Sequence, residues 1–291
     1  MSKIRTTFLL FLLIPFVSFS QSESTSNFFK KELRKDIPIY IGITMGLNSS
    51  NFRDFATSPL IYKGIQKHIA LSLVKYTKKQ EFEIELSYSF GNYKNTFNEH
   101  SDVSKVKTLS MYYSKLYQLN KLSSEKLNIK IGFLDNTTFN LRINESLQNN
   151  AVGFEIFSTF FGSIKIMKDV SRKEAKDKKL LFIKYHLKQR TRNLSFRLNV
   201  GLINSSFRNG FVYAGQSFIL NEEKPFDDYQ YKVFLGFRAS SSLDYTIFLK
   251  NKNKIQLSYL WDAYKTGGDL DKFEMAHHTF KLTLLFNTNN K

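Results

Sequence analysis

A run of strictly alternating side chains decides the fold: residues 81–90 have the sequence EFEIELSYSF. One set of alternate positions carries Phe, Ile, Leu, Tyr and Phe, while the other carries three Glu and two Ser. Successive side chains of a β-strand point to opposite faces of the sheet, so this segment has one apolar and one polar face. Residues 194–202 (LSFRLNVGL) repeat the pattern with a basic residue on the polar face. We therefore predict an all-β chain built from amphipathic strands.

The alternation recurs along most of the chain. Further examples are residues 127–133, 139–143, 181–188, 229–238, 255–262 and 280–286. The strands run about 9 to 15 residues, whereas strands of soluble proteins usually have about 5 to 6 and tilted membrane strands need roughly 9 to 11. Charged residues also occupy the polar face in mid-strand: Glu83, Glu85, Lys130, Arg142, Lys184, Arg197, Lys232 and Lys281. Both features favour a transmembrane antiparallel β-barrel over a soluble β-sandwich, which is the main alternative.

The first twenty residues have the three-part layout of a secretory signal peptide. Lys3 and Arg5 form a basic head, residues 8–19 (FLLFLLIPFVSF) form an apolar run, and Ser18 and Ser20 are small residues at the positions that a signal peptidase reads. The apolar run has 12 residues, too few to cross a bilayer as a helix, which takes roughly 20. We expect residues 1–20 to be removed and residues 21–36 to form a short polar periplasmic segment.

The composition argues against several classes of protein. Hydrophobic residues make up 42% of the 291 residues, which is too low for a bundle of membrane-spanning helices. Cysteine is absent, which excludes disulfides, thiolate metal sites and a cysteine nucleophile. The net charge of +18 suggests a nucleic-acid partner, but the basic residues do not gather in one stripe with interleaved aromatics, so none is expected. No His and carboxylate group has metal-ligand spacing, and we predict no metal and no cofactor.

Short and long connections alternate along the chain, as in barrels with short periplasmic turns and longer outer loops. The short ones are residues 76–80, 119–125, 189–193 and 250–253, and the long ones are residues 48–60, 91–104, 167–179, 204–228 and 266–274. With a first strand at residues 37–46, we predict about twelve strands and both termini in the periplasm. This count divides residues 134–152 into a strand at 137–143 and a turn at 144–150, whereas a long loop there gives the alternative count of ten. The barrel would span residues 37–287, followed by a polar tail at 288–291.

The chain resembles a Gram-negative outer-membrane β-barrel protein. The resemblance is carried by the signal peptide, by alternation over about 85% of the length and by residues 280–286 (FKLTLLF). This last segment is similar to the C-terminal signal read by the barrel assembly machinery, with Phe280, Leu282, Leu284 and Phe286 as its apolar positions. A five-residue polar tail follows Phe286, where many members end on the aromatic residue. The resemblance implies an outer-membrane location. Its implied partners are outer-membrane lipid and lipopolysaccharide, the barrel assembly machinery and other envelope proteins.

Charges on the polar face predict a crowded lumen. Glu83 and Glu85 would form an acidic wall. A basic wall would come from three later strands, with Lys184, His186, Lys188, Arg197, Lys232 and Arg238. Opposite charges can bridge the lumen and close it, or they can line a constriction of a narrow barrel. The leading hypothesis is a narrow pore for small polar or anionic solutes. The alternative is a non-conducting barrel that serves as a structural or accessory subunit of an outer-membrane assembly.

A lipid-modifying enzyme is the third hypothesis. The tandem His277-His278, at the outer end of the last strand, contains the best candidate base for a serine nucleophile. Thr279 and Phe280 follow it, where lipid A deacylases have the pattern His-x-Ser. We therefore predict no catalytic residue and no enzymatic activity.

Two surface features complete the sequence-based picture. Tyr259, Trp261 and Tyr264 are predicted to belong to an aromatic belt at the membrane interface. Residues 168–179 hold six basic and three acidic residues. As an extracellular loop, this segment could bind lipopolysaccharide phosphates by charge-assisted hydrogen bonds.

Overall fold

The computed structural model describes residues 38–97, 100–180, 182–209, 229–268 and 271–288. The predicted signal peptide (1–20), the polar segment (21–36), residue 37 of the predicted first strand and the end of the tail (289–291) lie outside these residues. The described chain consists of strands and turns, with short 3₁₀ turns at Asn120–Leu122 and Glu145–Asn150. None of its helical segments is long and apolar enough to cross a membrane.

Thirteen strands follow one another in the described residues. They are β1 (Ile39–Asp54), β2 (Ser58–Tyr76), β3 (Gln80–Phe97), β4 (His100–Gln118), β5 (Leu127–Ile143), β6 (Val152–Asp169), β7 (Lys176–Leu180), β8 (Ile183–Leu187), β9 (Arg192–Asn209), β10 (Tyr229–Val233), β11 (Phe237–Phe248), β12 (Lys254–Lys265) and β13 (Phe273–Asn287). Three of them, β7, β8 and β10, have only five residues each. The other ten have 12 to 19 residues, the length expected of strands that cross a membrane.

The ten long strands close into one antiparallel barrel. Their order is β1-β2-β3-β4-β5-β6-β9-β11-β12-β13, and β13 pairs back onto β1 from Tyr40↔Asn287 to Asp54↔Phe273. The fold class and the alternative count of ten are confirmed, while the leading count of about twelve is two too many. One extra strand arose because residues 127–143 form the single strand β5; the predicted turn at 144–150 is present as the Glu145–Asn150 turn. The second extra strand is the one predicted at residues 181–188, which do not belong to the barrel wall.

Residues 181–188 fall largely in a hairpin that stands apart from the barrel wall. Strands β7 and β8 pair only with each other, above a bridge between Arg172 and Arg190. The hairpin joins β6 to β9, so it lies at the barrel end where β1 begins and β13 ends, together with the turns after β2, β4 and β11. Residues 167–179 and the start of β1 thus share one end, so the predictions of an outer loop at 167–179 and of periplasmic termini exclude each other. We keep the periplasmic termini and call this end the periplasmic end and the opposite one the outer end. The alternating sequence of residues 181–188 is like that of a barrel strand, but strand β8 has only five residues, which are too few to cross a bilayer.

Strand β10 continues the line of β11 on the same edge of β9. Strand β10 pairs with the outer end of β9, from Tyr229↔Asn209 to Val233↔Ser205. Strand β11 pairs with the periplasmic part of β9, from Ala239↔Val200 to Ile247↔Arg192. Between β10 and β11 the backbone leaves the extended conformation, because Phe234 (φ 60°) and Gly236 (φ 85°) have positive φ angles. Gly236 is required there, because a Cβ would lie 2.2 Å from the backbone oxygen of Lys265.

Side chains alternate between a polar lumen and an apolar outer surface. On β1, Thr44 and Asn48 are buried inside, whereas Met45 and Leu47 are 65% and 58% exposed outside. The predicted assembly-signal residues Phe280, Leu282, Leu284 and Phe286 are likewise exposed on the outer face of β13. A predominantly apolar exterior around a charged interior is the inverse of a soluble protein and matches a wall that faces lipid.

Candidate functional site: the charged lumen

A buried ionic cluster bridges the outer end of the lumen. Asp54 of β1 pairs with Arg142 of β5 and with Arg208 of β9, where the Arg208 Nη2–Asp54 Oδ1 distance is 2.6 Å. Arg142 also donates Nε to Glu155 Oε1 of β6 at 3.0 Å. All four side chains are at most 7% exposed. Because β1 lies four strands away from both β5 and β9 in the ring, the two ion pairs of Asp54 cross the barrel, whereas the Arg142–Glu155 pair joins the neighbouring strands β5 and β6.

Aromatic rings pack against this ionic cluster and fill the outer lumen. The core consists of Phe52, Tyr62, Tyr93, Val106, Phe157, Tyr264, Phe273 and Met275. The Phe273 ring, fully buried, lies 5.4 Å from the Phe157 ring and 5.0 Å from the Arg142 guanidinium carbon. Rings and paired charges together form an outer closure in which each cation is both ion-paired and stacked.

A second buried ionic cluster lies near the periplasmic end. Glu81 of β3 accepts hydrogen bonds from Lys130 of β5 at 3.2 Å and from Lys165 of β6 at 2.5 Å. The side chains of Glu81 and Lys130 are 4% and 0% exposed. Lys130 also donates to the backbone oxygen of Thr77 at 3.0 Å, which satisfies a second of its three N–H groups.

Tyr76 extends this second cluster across the lumen. From β2 its hydroxyl donates to Met167 Sδ on β6 at 2.7 Å. Its ring receives two cations, with Lys130 Nζ 4.4 Å and Lys254 Nζ 4.5 Å from the centroid. These three contacts reach strands on opposite sides of the ring, so a single side chain spans the periplasmic end.

Between the two closures lies a polar cavity of about 190 Å³. Among the described residues, five acidic and five basic side chains line it. They are Glu81, Glu83, Glu85, Asp244 and Asp262, and Lys165, Arg197, Arg238, Lys254 and Lys281. The formal charges of this lining therefore cancel. The five cations lie on five consecutive strands of the ring, β6, β9, β11, β12 and β13, whereas three of the five carboxylates lie together on β3.

The predicted acidic wall faces this cavity and meets cations across it. Glu83 Oε2 lies 4.0 Å from Arg197 Nη1, and Glu85 Oε1 lies 3.6 Å from Lys281 Nζ. Arg197 is on β9 and Glu83 on β3, four strands away in the ring. The structure thus brings Arg197 of the predicted basic wall to the predicted acidic wall.

Of the other predicted basic residues, only Arg238 lies beside Arg197 in the cavity wall, on the neighbouring strand β11. Arg238 binds the neighbouring Asp262 through Nε at 3.1 Å and Nη2 at 2.7 Å. Lys232, on β10, pairs with Asp271 at the outer end. Lys184, His186 and Lys188 are not in the barrel wall at all, because the first two belong to β8 and the third follows it. The prediction that Lys184, His186 and Lys188 line the lumen is therefore wrong.

The predicted aromatic belt is also divided. Tyr259 and Trp261 are at outward positions of β12, whereas Tyr264 has the opposite parity and is buried in the outer closure at 7% exposure. Tyr264 accepts a hydrogen bond from Asn140 Nδ2 across the lumen at 3.0 Å. The belt assignment of Tyr264 is therefore wrong.

The two tandem histidines point to opposite sides of β13. His278 faces outward, and its Nδ1 lies 2.7 Å from the Tyr259 hydroxyl. His277 faces the lumen, with Nε2 3.6 Å from Asp262 Oδ2 and with Ser50 directly opposite on β1. Ser50 Oγ, however, is hydrogen-bonded to the Tyr93 hydroxyl. In the described part of the chain, no group of three or more His, Asp or Glu side chains is arranged to hold a metal ion.

Comparisons with known proteins show only distant similarity. No protein-family model matches the chain, and no curated protein matches its sequence. Among solved structures, it is similar to the outer membrane protease OmpT from Escherichia coli (TM-score 0.48, 7% identity, 86% of this chain and 95% of that one). It is also similar to the translocator domain of the autotransporter NalP from Neisseria meningitidis (TM-score 0.33, 7% identity, 98% and 96%) and to the Pseudomonas putida toluene transporter TodX (TM-score 0.31, 9% identity, 93% and 95%).

The strand pairing and surface of the chain itself define its class. A closed antiparallel ring of ten strands, with apolar residues outside and paired charges inside, is a transmembrane β-barrel of the outer-membrane type. The predicted resemblance to Gram-negative outer-membrane barrels is confirmed at the level of this general class.

Proposed function

We propose that this chain is an outer-membrane barrel that does not conduct as folded and that serves as a structural or accessory subunit of an envelope assembly. The observation that carries the proposal is closure of the lumen at both ends. Asp54 and its two arginines bridge the outer end, and Tyr76 with Lys130 bridges the periplasmic end. Separating these buried pairs would leave charges without partners, which costs several kcal/mol per ion.

The narrow pore is the second candidate, and the cavity between the closures favours it. A polar space of about 190 Å³ is already present in mid-barrel, so loss of the two closures would leave a path with polar walls. The equal numbers of acidic and basic residues in its lining argue against a preference for anions, which needs an excess of Arg or Lys.

The location and partners follow from the same features. We propose export through the predicted signal peptide, insertion in the outer membrane, and recognition of the outward residues Phe280, Leu282, Leu284 and Phe286 by the barrel assembly machinery. We propose no enzymatic role, because His277 faces the lumen and the opposite Ser50 is bonded to Tyr93. Residues 168–179 lie at the end opposite to the outer leaflet, so they do not support contact with lipopolysaccharide.

Conductance of the purified, refolded protein in planar bilayers tests the proposal. We expect no resolved current steps from the wild type. A fourfold variant combines Tyr76→Ala with Asp54→Asn, Phe157→Ala and Phe273→Ala. It removes the side chain that spans the periplasmic end, the carboxylate that bridges the outer end and two of the rings packed there. It should conduct, because both closures are then opened.

Two single-closure variants provide the matched controls. Tyr76→Ala alone, and the three outer substitutions Asp54→Asn, Phe157→Ala and Phe273→Ala without it, should stay silent because one closure remains in each. Regular steps from the wild type, with channel density that follows protein insertion, would instead support the pore and overturn the non-conducting proposal.

A further inference from the structure

Five lysines form a patch on the face of strands β2 to β4 that points away from the lumen. They are Lys63 and Lys67 on β2, Lys94 on β3, and Lys105 and Lys107 on β4. All five are exposed, and each alternates along its strand with residues that face the lumen. We call these five residues the lysine patch. They lie in the half of the barrel opposite to the start of β1 and the end of β13, which is the outer half.

The strand register places these lysines side by side. Lys63 is directly opposite Lys94. Phe90 is opposite Lys67 on one side and opposite Lys107 on the other, so it separates these two cations. With strands about 4.8 Å apart and a rise of about 3.3 Å per residue, the patch covers about 10 Å by 13 Å.

The charge of the lysine patch is not balanced by the barrel wall. Like charges directly opposite each other on neighbouring strands are destabilising, and Lys63 and Lys94 are such a pair. Among the described outward-facing residues of these outer strand halves, none is acidic. The described acid in contact is Glu145 of the turn after β5, 3.4 Å from Lys105 and 83% exposed. An external anion between the lysines would remove this repulsion.

The lysine patch lies at the outer edge of the apolar band. Ile61 and Ile65, 48% and 63% exposed, alternate with Lys63 and Lys67 on the same face of β2. Apolar groups therefore extend to the level of the cations, and lysine stems can lie along acyl chains while their ammonium groups reach the headgroups.

The next two strands of the ring carry apolar residues at the same level. Across from Lys107 the register continues to Leu141 on β5 and Phe154 on β6, both apolar. Lys105 is followed in the same way by Ile143 and Val152.

We propose that the lysine patch binds the phosphate groups of a phosphorylated glycolipid in the outer leaflet, with Ile61, Ile65 and Phe90 against its acyl chains. Phosphate oxygens accept charge-assisted hydrogen bonds from several ammonium groups at once. The proposal concerns the outer wall and does not depend on whether the lumen conducts. It places the glycolipid contact at the opposite end of the barrel from residues 168–179.

Binding of bisphosphorylated lipid A to the refolded full-length protein in detergent, measured by native mass spectrometry, tests the proposal. The wild type should retain lipid A, and affinity should fall as salt is raised. Replacing all five patch lysines by Gln should weaken binding at least about tenfold, because the charge-assisted hydrogen bonds to phosphate are lost. Strand content and heat-modifiable migration should be unchanged, since the five side chains are exposed.

A matched variant separates the patch from net charge. Lys75, Lys78, Lys79, Lys126 and Lys168, exposed at the periplasmic end, are replaced by Gln; binding should stay within about twofold of wild type. Equal losses in the two variants would overturn the proposal. So would equal binding of dephosphorylated lipid A, or equal competition by phosphatidylglycerol. Should the fivefold variant fail to fold, Lys63→Gln with Lys94→Gln must by itself weaken binding, or the proposal fails.

Discussion

Replacing Arg142 by Met should destabilise the barrel more than any single loss of a surface charge. Arg142 holds two carboxylates, Asp54 and Glu155, whose side chains are 2% and 0% exposed. In the variant Asp54 keeps Arg208 at 2.6 Å, but Glu155 loses its ion-pair partner. Removing one partner of a buried pair costs about 3–5 kcal/mol, since the remaining charge is uncompensated. We expect a loss of that size in the free energy of unfolding, measured by urea titration of the refolded protein in lipid vesicles.

Two comparisons show whether the unpaired charge of Glu155 causes the loss in the free energy of unfolding. Arg142→Met combined with Glu155→Met removes both charges, and should recover at least half of the loss because an apolar pair can replace a buried ion pair. Lys105→Met breaks the Lys105–Glu145 pair, 3.4 Å long with side chains 61% and 83% exposed, and should cost under about 1 kcal/mol. The reasoning is refuted if Arg142→Met costs no more than Lys105→Met, or if the double variant is no more stable than the single one.

Three further outcomes are expected. Cysteines at Ser123 and Lys173 should both be protected from an impermeant label in intact cells while one at Ser146 reacts, since the turn after β5 lies at the opposite end from the other two; labelling at Lys173 alone would contradict the hairpin placement. Leu198→Arg on the lipid-facing side of β9 should cost about 2–4 kcal/mol in urea titration if it lies near the midplane, and Leu198→Phe should be close to wild type; similar losses would argue against a lipid-facing position. Gly46→Val should cost about 1–3 kcal/mol by the same assay, because a Cβ there meets the backbone oxygen of Phe280 at 2.4 Å, and a neutral result would show that the β1–β13 seam can relax.

The wall of the barrel was predictable from sequence because period two is a local property. Alternation in residues 81–90 and 280–286 is enough to decide which side chains face lipid, and Phe280 and Phe286 are indeed outside. Alternation carries no information on strand length or on strand pairing, and the predictions that depended on these two properties were wrong. It gave the β8 hairpin strand to the lumen, and it divided β5 at Asp135 and Thr137, polar residues that stand at outward positions of an unbroken strand.

The lumen closures could not be predicted in the same way, since their partners are remote in sequence. Asp54 and Arg208 are 154 residues apart, and their contact depends on how many strands separate β1 from β9. A count of twelve places different walls opposite each other. An acidic wall with Glu83 and a basic wall that included Arg197 were predicted from charge alone, and these two residues do meet across the lumen. Tyr76 is uncharged, so the charge pattern gave no signal of its role.

Pairing of the first strand with the last also fixes when the ring can form. Thr44 and Thr283, 239 residues apart, are hydrogen-bonded across the β1–β13 seam at 2.8 Å. Bringing such distant segments together costs about 5 kcal/mol of chain entropy by the logarithmic rule for loop closure, and this is recovered only when the fifteen paired positions of the seam form together. Folding dominated by such non-local pairs is slow. A chain that stops before residue 273 would keep two unpaired strand edges, which lipid does not tolerate, so completion of the last strand acts as the checkpoint for the whole ring.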